Sequence, residues 1–202
     1  MKKIIGYVTV VVLMGLLSFT NSSVLPIGSE MPMQAHKMSD VSGKEVSMKD
    51  AAKGNGVLVM FSCNTCPYVV KNEQRMLAIC EFAQKLNIGV VILNSNEAYR
   101  GGEDSPEAMK EYASEKKYNW FYVVDKNSEV ADAFGANRTP ECFLFDKTLK
   151  LAYHGAIDDN PSDESNVKRQ HLREAMTEMA DGKPVSVKES RSVGCSIKRK
   201  AK

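Results

Sequence analysis

The stretch Val57-Leu58-Val59-Met60-Phe61-Ser62-Cys63-Asn64-Thr65-Cys66-Pro67-Tyr68 decides how the rest of the chain is read. A continuous apolar run, of the kind a strand buried on both faces requires, ends in two cysteines separated by two residues. A disulfide needs its Cα atoms about 4.4–6.8 Å apart. One helical turn takes ~3.6 residues, so positions three apart lie within that reach. If the helix opens at the pair, Cys63 stands at its entrance, where unpaired N–H groups and the dipole favour a thiolate. Cys63 is then expected as the nucleophile and Cys66, one turn inside, as the resolving thiol. Pro67 falls in the first turn, where its missing N–H matters little. Two other readings of the pair are a structural disulfide and a zinc site. Zinc usually takes a second Cys or His pair. The sequence has no second C-x-x-C, and His36, His154 and His171 are scattered, so no metal is expected.

Outward from this junction, the N-terminus reads as an export signal. Lys2 and Lys3 precede an apolar run from Ile4 to Leu17, followed by Ser18, Thr20, Asn21, Ser22 and Ser23. That is the layout of a secretory signal peptide over 1–23. The run is shorter than the ~20 residues of a spanning helix, yet nearly continuous, so an uncleaved anchor is the alternative. Membrane contact is expected only in that second case. Export to a periplasmic or other extracytoplasmic space puts the chain where disulfides persist, and a reducing role there needs an outside electron donor. Lys plus Arg number 27 and Asp plus Glu 25, and without Lys2 and Lys3 the count is 25 against 25. Such balance gives no support to a nucleic-acid partner. Five cysteines cannot all pair within one chain. The remainder divides into a domain over 27–182 and a polar, basic tail over 183–202.

Within the domain, Ser39 to Met48 reads as a hairpin around Val41-Ser42-Gly43-Lys44, followed by a short helical piece near Lys49–Lys53. Pro67 to Leu86 carries apolar residues at helical spacing. Ile88 to Leu93 is a second buried strand. Ser105-Pro106-Glu107 starts a helix that runs to about Lys117. Trp120 to Val124 is a strand, and Ser128 to Phe134 a short helix stopped by Gly135. Glu141 to Phe145 and Leu149 to His154 form a strand pair, and Asn166 to Ala180 a last amphipathic helix. Alternating elements followed by a strand pair and a helix predict an α/β sandwich with a mixed central sheet.

This order resembles the thioredoxin-like fold, with an N-terminal hairpin extension and an inserted helix. The segment Phe61-Ser62-Cys63-Asn64-Thr65-Cys66-Pro67-Tyr68-Val69 resembles the C-N-x-C-P-Y-V signature of a peroxiredoxin-like, thioredoxin-type family of the alkyl hydroperoxide reductase/thiol-specific antioxidant superfamily. Asn94-Ser95-Asn96, Asp104-Ser105-Pro106-Glu107, Thr139-Pro140-Glu141, Ile157-Asp158-Asp159-Asn160 and Gly194-Cys195-Ser196-Ile197-Lys198 fit the same family. The resemblance implies a cis Pro140 facing the dithiol and a Thr139 backbone offered to an extended substrate strand. It implies catalysis by Cys63 and Cys66, with no cofactor beyond their own disulfide. Many thioredoxins carry a buried acid six residues before the first cysteine. Val57 stands there, so Glu141 is the candidate substitute, set against a plain solvated glutamate. No cation lies between the cysteines, so only a moderate lowering of the Cys63 pKa is expected.

The function expected is thiol–disulfide exchange on protein or small-molecule disulfides. A thiol-dependent peroxidase is the first alternative. It would align Cys66 with the peroxidatic cysteine, but Cys63 and Val59 then stand where Thr or Ser and Pro belong, and Arg138, a stand-in for an activating arginine, lies at a different distance from the next strand. A redox-dependent binding module without turnover is the second. Cys80 and Cys142 read as core residues. Cys195, in a flexible-looking tail, is either an accessory redox thiol or an idle one.

Overall fold

The computed structural model describes residues 23–201. The expected signal segment therefore lies outside the described residues, apart from Ser23. Among the described residues no helix is long and apolar enough to cross a membrane.

The chain builds β1 (Met38–Ser39), β2 (Glu45–Val46), α1 (Met48–Ala51), β3 (Val57–Ser62), α2 (Pro67–Lys85), β4 (Gly89–Asn94) and α3 (Pro106–Glu115). It continues with β5 (Phe121–Val124), α4 (Glu129–Phe134), β6 (Arg138–Thr139), β7 (Glu141–Phe145), β8 (Leu151–Gly155), α5 (His171–Ala180) and β9 (Cys195–Ser196). The main sheet has the order β5-β4-β3-β7-β8. Strands β3, β4 and β5 run parallel, and β7 and β8 join antiparallel. This is the mixed, thioredoxin-like sheet expected from the sequence. The apolar run at 57–61 became the central strand because both its faces are covered.

Period-2 alternation sorts side chains to the two faces. Leu58, Met60, Val90, Ile92, Cys142 and Leu144 face α2, α3 and α5. Val57, Val59, Phe61, Val91, Phe143 and Phe145 face α1, α4 and the β1–β2 hairpin. The second face is aromatic. The Phe134 ring meets Phe61, Phe143 and Phe145 edge-on, at centroid distances of 5.5, 5.2 and 5.7 Å.

Three expectations change. The last helix starts at His171, and Glu164–Asn166 forms a separate 3-10 turn. The domain does not begin at 27, because Leu25 N–H already donates to Phe134 O at 3.0 Å. Nor does it end at 182, because the tail is tied down along its length. The N–H of His154 donates to Lys188 O, and Ser190 N–H to His154 O, so residues 188–190 flank β8. Farther on, β9 pairs antiparallel with β6, and Ile197 is buried in the aromatic face. The Lys198 N–H donates to Asn96 Oδ1 at 2.8 Å, and Arg199 pairs with Asp132 at 2.7 Å. A polar composition was misleading because this segment is held mainly by backbone hydrogen bonds and two buried apolar residues, Val185 and Ile197.

Candidate active site

The parallel strands β3, β4 and β5 all end on one side of the sheet, where ligand sites of α/β folds gather. The loop Cys63-Asn64-Thr65 leaves β3 there and leads into α2. All five cysteines are free thiols, so this is the reduced form. Cys63 is 1% exposed and Cys66 6%.

The helix begins at Pro67 as expected, but the place of the cysteines relative to it is corrected. The helix opens at Pro67, and Cys66 is its N-cap, with φ −62° and ψ 125°. Cys63 lies in the loop before it. The cause is local: the ring of a proline disfavours the helical region for the residue before it, so Cys66 stays extended and cannot enter the helix. The helix proper therefore offers Cys66 the Val69 N–H, while Cys63 meets only the N–H of the capping residue, Cys66.

The electrostatics follow that geometry. The Cys66 pKa is pushed down, chiefly by a hydrogen bond from Cys63. The neighbouring Cys195 and Thr139 and the N–H of Val69, at the third helical position, push the same way. The Cys63 pKa is pushed up by that same shared proton and by burial, with the Asp104 carboxylate adding to it. These directions put the lower pKa on Cys66, where the sequence reading put it on Cys63.

Thr139 is where the two sulfurs converge. Its Oγ1 lies 3.6 Å from Cys63 Sγ, and its carbonyl oxygen lies 3.3 Å from Cys66 Sγ. The Thr139–Pro140 peptide is cis, as the resemblance implies. Cys195 is brought to the same place, because β9 pairs it with Thr139 and sets its thiol beside Cys66. Burial, then the contact with Cys66, raises its pKa.

Glu141 is neither solvated nor a proton carrier for the dithiol. It is 3% exposed, and its Oε2 accepts the N–H groups of Asn137 and Arg138 at 2.8 Å each. Its Oε1 meets His154 Nε2 at 2.7 Å. It clamps the loop that delivers Thr139 and Pro140, which makes it a positioning residue. Arg138 donates to Ser196 Oγ at 3.2 Å, on the tail, so it is no activating arginine for the thiols.

The buried acid near the dithiol is Asp104, which sequence reasoning passed over. It is fully buried, and Oδ1 accepts Asn64 N–H at 2.9 Å and Asn94 Nδ2 at 2.7 Å. Its Oδ2 accepts Asn96 Nδ2 at 2.9 Å. Tyr122 completes this platform by donating to Asn64 Oδ1 at 2.7 Å. The available signal was the run of short polar residues, Asn94, Asn96 and Asp104, straight after an apolar strand beside β3. Cys80 and Cys142 are fully buried core residues whose pKa values burial raises, as expected for packing. Among the described residues no group of three or more His, Cys, Asp or Glu forms a metal site.

Comparison with known proteins agrees with the thioredoxin-like fold. The family model described as Redoxin matches residues 26–170. The thiol-disulfide oxidoreductase ResA of Geobacillus thermodenitrificans is 25% identical over 133 residues, covering 66% of this chain and 71% of its own. The solved structure of an uncharacterized conserved protein from Geobacillus kaustophilus is 34% identical, with a TM-score of 0.81 over 88% of this chain and 94% of that one. The thioredoxin domain of a thiol-disulfide oxidoreductase from Bacteroides vulgatus shares the fold at 20% identity, with a TM-score of 0.53 over 65% of this chain and 89% of that one.

Proposed function

The chain belongs to the Redoxin family, and from that premise we propose that it is an exported thiol–disulfide oxidoreductase whose working couple is Cys63/Cys66. One observation carries the reading: two thiols three positions apart converge on Thr139, beside a cis proline and at a helix N-terminus that favours charge on Cys66. The name of the Geobacillus thermodenitrificans relative supports it. Export rests on the charged, apolar and polar layout of residues 1–23.

In the proposed cycle the Cys66 thiolate attacks one sulfur of a substrate disulfide. A mixed disulfide forms and the other substrate sulfur leaves as a thiolate. Cys63 then attacks Cys66 Sγ, loses its proton and releases the second substrate thiol. The resulting Cys63–Cys66 disulfide is reduced again by two electrons from an external dithiol donor. The Asn64–Asp104–Tyr122 hydrogen bonds hold the loop between the sulfurs through both steps.

Turnover of a disulfide-linked peptide, with dithiothreitol as donor, tests this. Cys66→Ser, and Cys63→Ser in a Cys195→Ser background, are each expected to bring the rate down to the uncatalysed background. With no dithiothreitol present, Cys63→Ser combined with Cys195→Ser, which removes the other thiol beside Cys66, should retain the peptide covalently on Cys66. Unchanged turnover in either variant refutes the reading. Alignment of Cys66 with a peroxidatic cysteine makes hydrogen peroxide the control substrate: faster consumption of peroxide than of disulfide would make the protein a peroxidase. Wild-type protein with no turnover of either would be a binding module.

A further inference from the structure

We propose that Cys195 is a third redox centre, an internal exchange partner that the C-terminal strand delivers to Cys66 in the place of a substrate strand. The inference rests on the Cys63/Cys66 reading and extends it to the tail. Three observations meet there. Strand β9 pairs antiparallel with β6, so Cys195 is the direct partner of Thr139, the residue before the cis proline. An extended peptide adding to this edge would use the same backbone groups. Next, the Cys195 thiol sits beside Cys66 and packs against the cluster that contains both active-site sulfurs. Third, the approach is built into the sequence. A Cβ on Gly194 would fall 2.2 Å from Thr139 O, so only glycine lets the tail come this close. Ile197 and Lys198 anchor it just beyond, through Asn137 O and Asn96 Oδ1.

The chemistry is an isomerisation that needs no further oxidant. In the oxidised enzyme, the Cys195 thiolate attacks Cys66 Sγ. The Cys63–Cys66 bond breaks, a Cys66–Cys195 bond forms, and the proton given up by Cys195 ends on Cys63. Disulfide count and electron count are unchanged. The second disulfide leaves Cys63 reduced and fixes the tail over the substrate edge, so the chain holds oxidising equivalents in two interchangeable places.

The test isolates the second bond. Cys63→Ser in the full chain leaves four cysteines out of five. Oxidation by glutathione disulfide should take two electrons and two protons from Cys66 and Cys195, releasing two glutathione thiols. Thiols counted after denaturation should fall from four to two in a monomeric product. Non-reducing tryptic mapping should join the peptide 54–71 to the peptide 192–198. Separate glutathione adducts on the two sulfurs, or a link between two chains, overturn the proposal. Cys63→Ala, mapped the same way, covers poor folding of the serine variant. Cys195→Ser separates the two levels. If it retains a reversible Cys63–Cys66 couple while Cys63→Ser forms no link, the internal partner fails and the oxidoreductase reading stands. If that couple is absent as well, the oxidoreductase reading fails.

Discussion

The two faces of the central sheet are built from the same strands and differ in chemistry. One face carries Phe61, Phe134, Phe143 and Phe145 in edge-on contact and no cysteine. The other carries Cys63, Cys66, Cys80 and Cys142, with Cys195 packed against it. Sulfur and burial alone do not make that second face reactive. Cys80 and Cys142 lie on the buried face of α2 and on β7 with nothing but burial and neighbouring negative charge acting on them, and both are held as thiols. Cys66 is also buried, yet it collects hydrogen-bond donors at the start of α2 and is pushed the other way. The distance along α2 from Cys80 back to the N-cap separates packing from chemistry.

The comparison breaks if the aromatic face is needed for thiol behaviour. Phe134→Ala removes the ring at the centre of that face and should cost about 3–5 kcal/mol of unfolding free energy. That is the largest stability effect expected here. Below its lowered melting temperature the variant should retain the wild-type pH profile for alkylation of Cys66. Denaturant unfolding gives the first quantity and iodoacetamide rates give the second. A shifted profile would mean that the faces are coupled.

The sequence made one side of this contrast easy to see and the other hard. Strand β3 and its C-x-x-C were legible because a continuous apolar run and a cysteine spacing are local signals. The cis Thr139–Pro140 bond came only through resemblance, since a Thr-Pro pair by itself does not fix an isomer. The helix from Pro67 was legible, but Cys66 was placed one turn inside it although the deciding signal, Pro67 after Cys66, was present. Asp104 and Glu141 were missed or misassigned for another reason. Their partners lie on separate segments, and a buried acid is recognised only by the donors that surround it. The tail was misread because backbone pairing between β6 and β9 leaves no pattern in side-chain polarity.

Asp104 sharpens the contrast within the thiol face. Asp104→Ala leaves Asn64 N–H, Asn94 Nδ2 and Asn96 Nδ2 without their acceptor. The expected loss is about 2–3 kcal/mol, since a buried unsatisfied polar group costs about 1–3 kcal/mol. Unlike Phe134→Ala, this variant should also change the thiols. Asp104 is one of the groups that hold the Cys63 pKa up, so its removal should let Cys63 ionise at lower pH. Alkylation of Cys63 in a Cys66→Ser background reads this directly. A Cys63 profile identical with and without Asp104 would remove the carboxylate from the account.

The smallest effect is the most discriminating, because its sign depends on pH. Cys80 is fully buried, and burial, with Glu81 adding to it, raises its pKa far above the ordinary thiol value. In the unfolded chain a cysteine ionises near pH ~8.5. Below that pH both states bind the proton, and the group makes no pH-dependent contribution. Above it the unfolded chain gives up the proton and the folded chain keeps it. The folded protein therefore loses stability as pH rises, by about 1.4 kcal/mol per unit. At pH 7, Cys80→Ala should cost about 1 kcal/mol, the scale of a small deletion in a packed core. At pH 10 the wild type has lost about 2 kcal/mol at this site, a loss the alanine variant escapes. The variant should then be the more stable protein by about 1 kcal/mol. Urea midpoints of the reduced proteins at the two pH values check it. A difference that keeps its sign would show that Cys80 ionises inside the fold, and that burial on the inner face of α2 does not separate it from the thiols at the helix end.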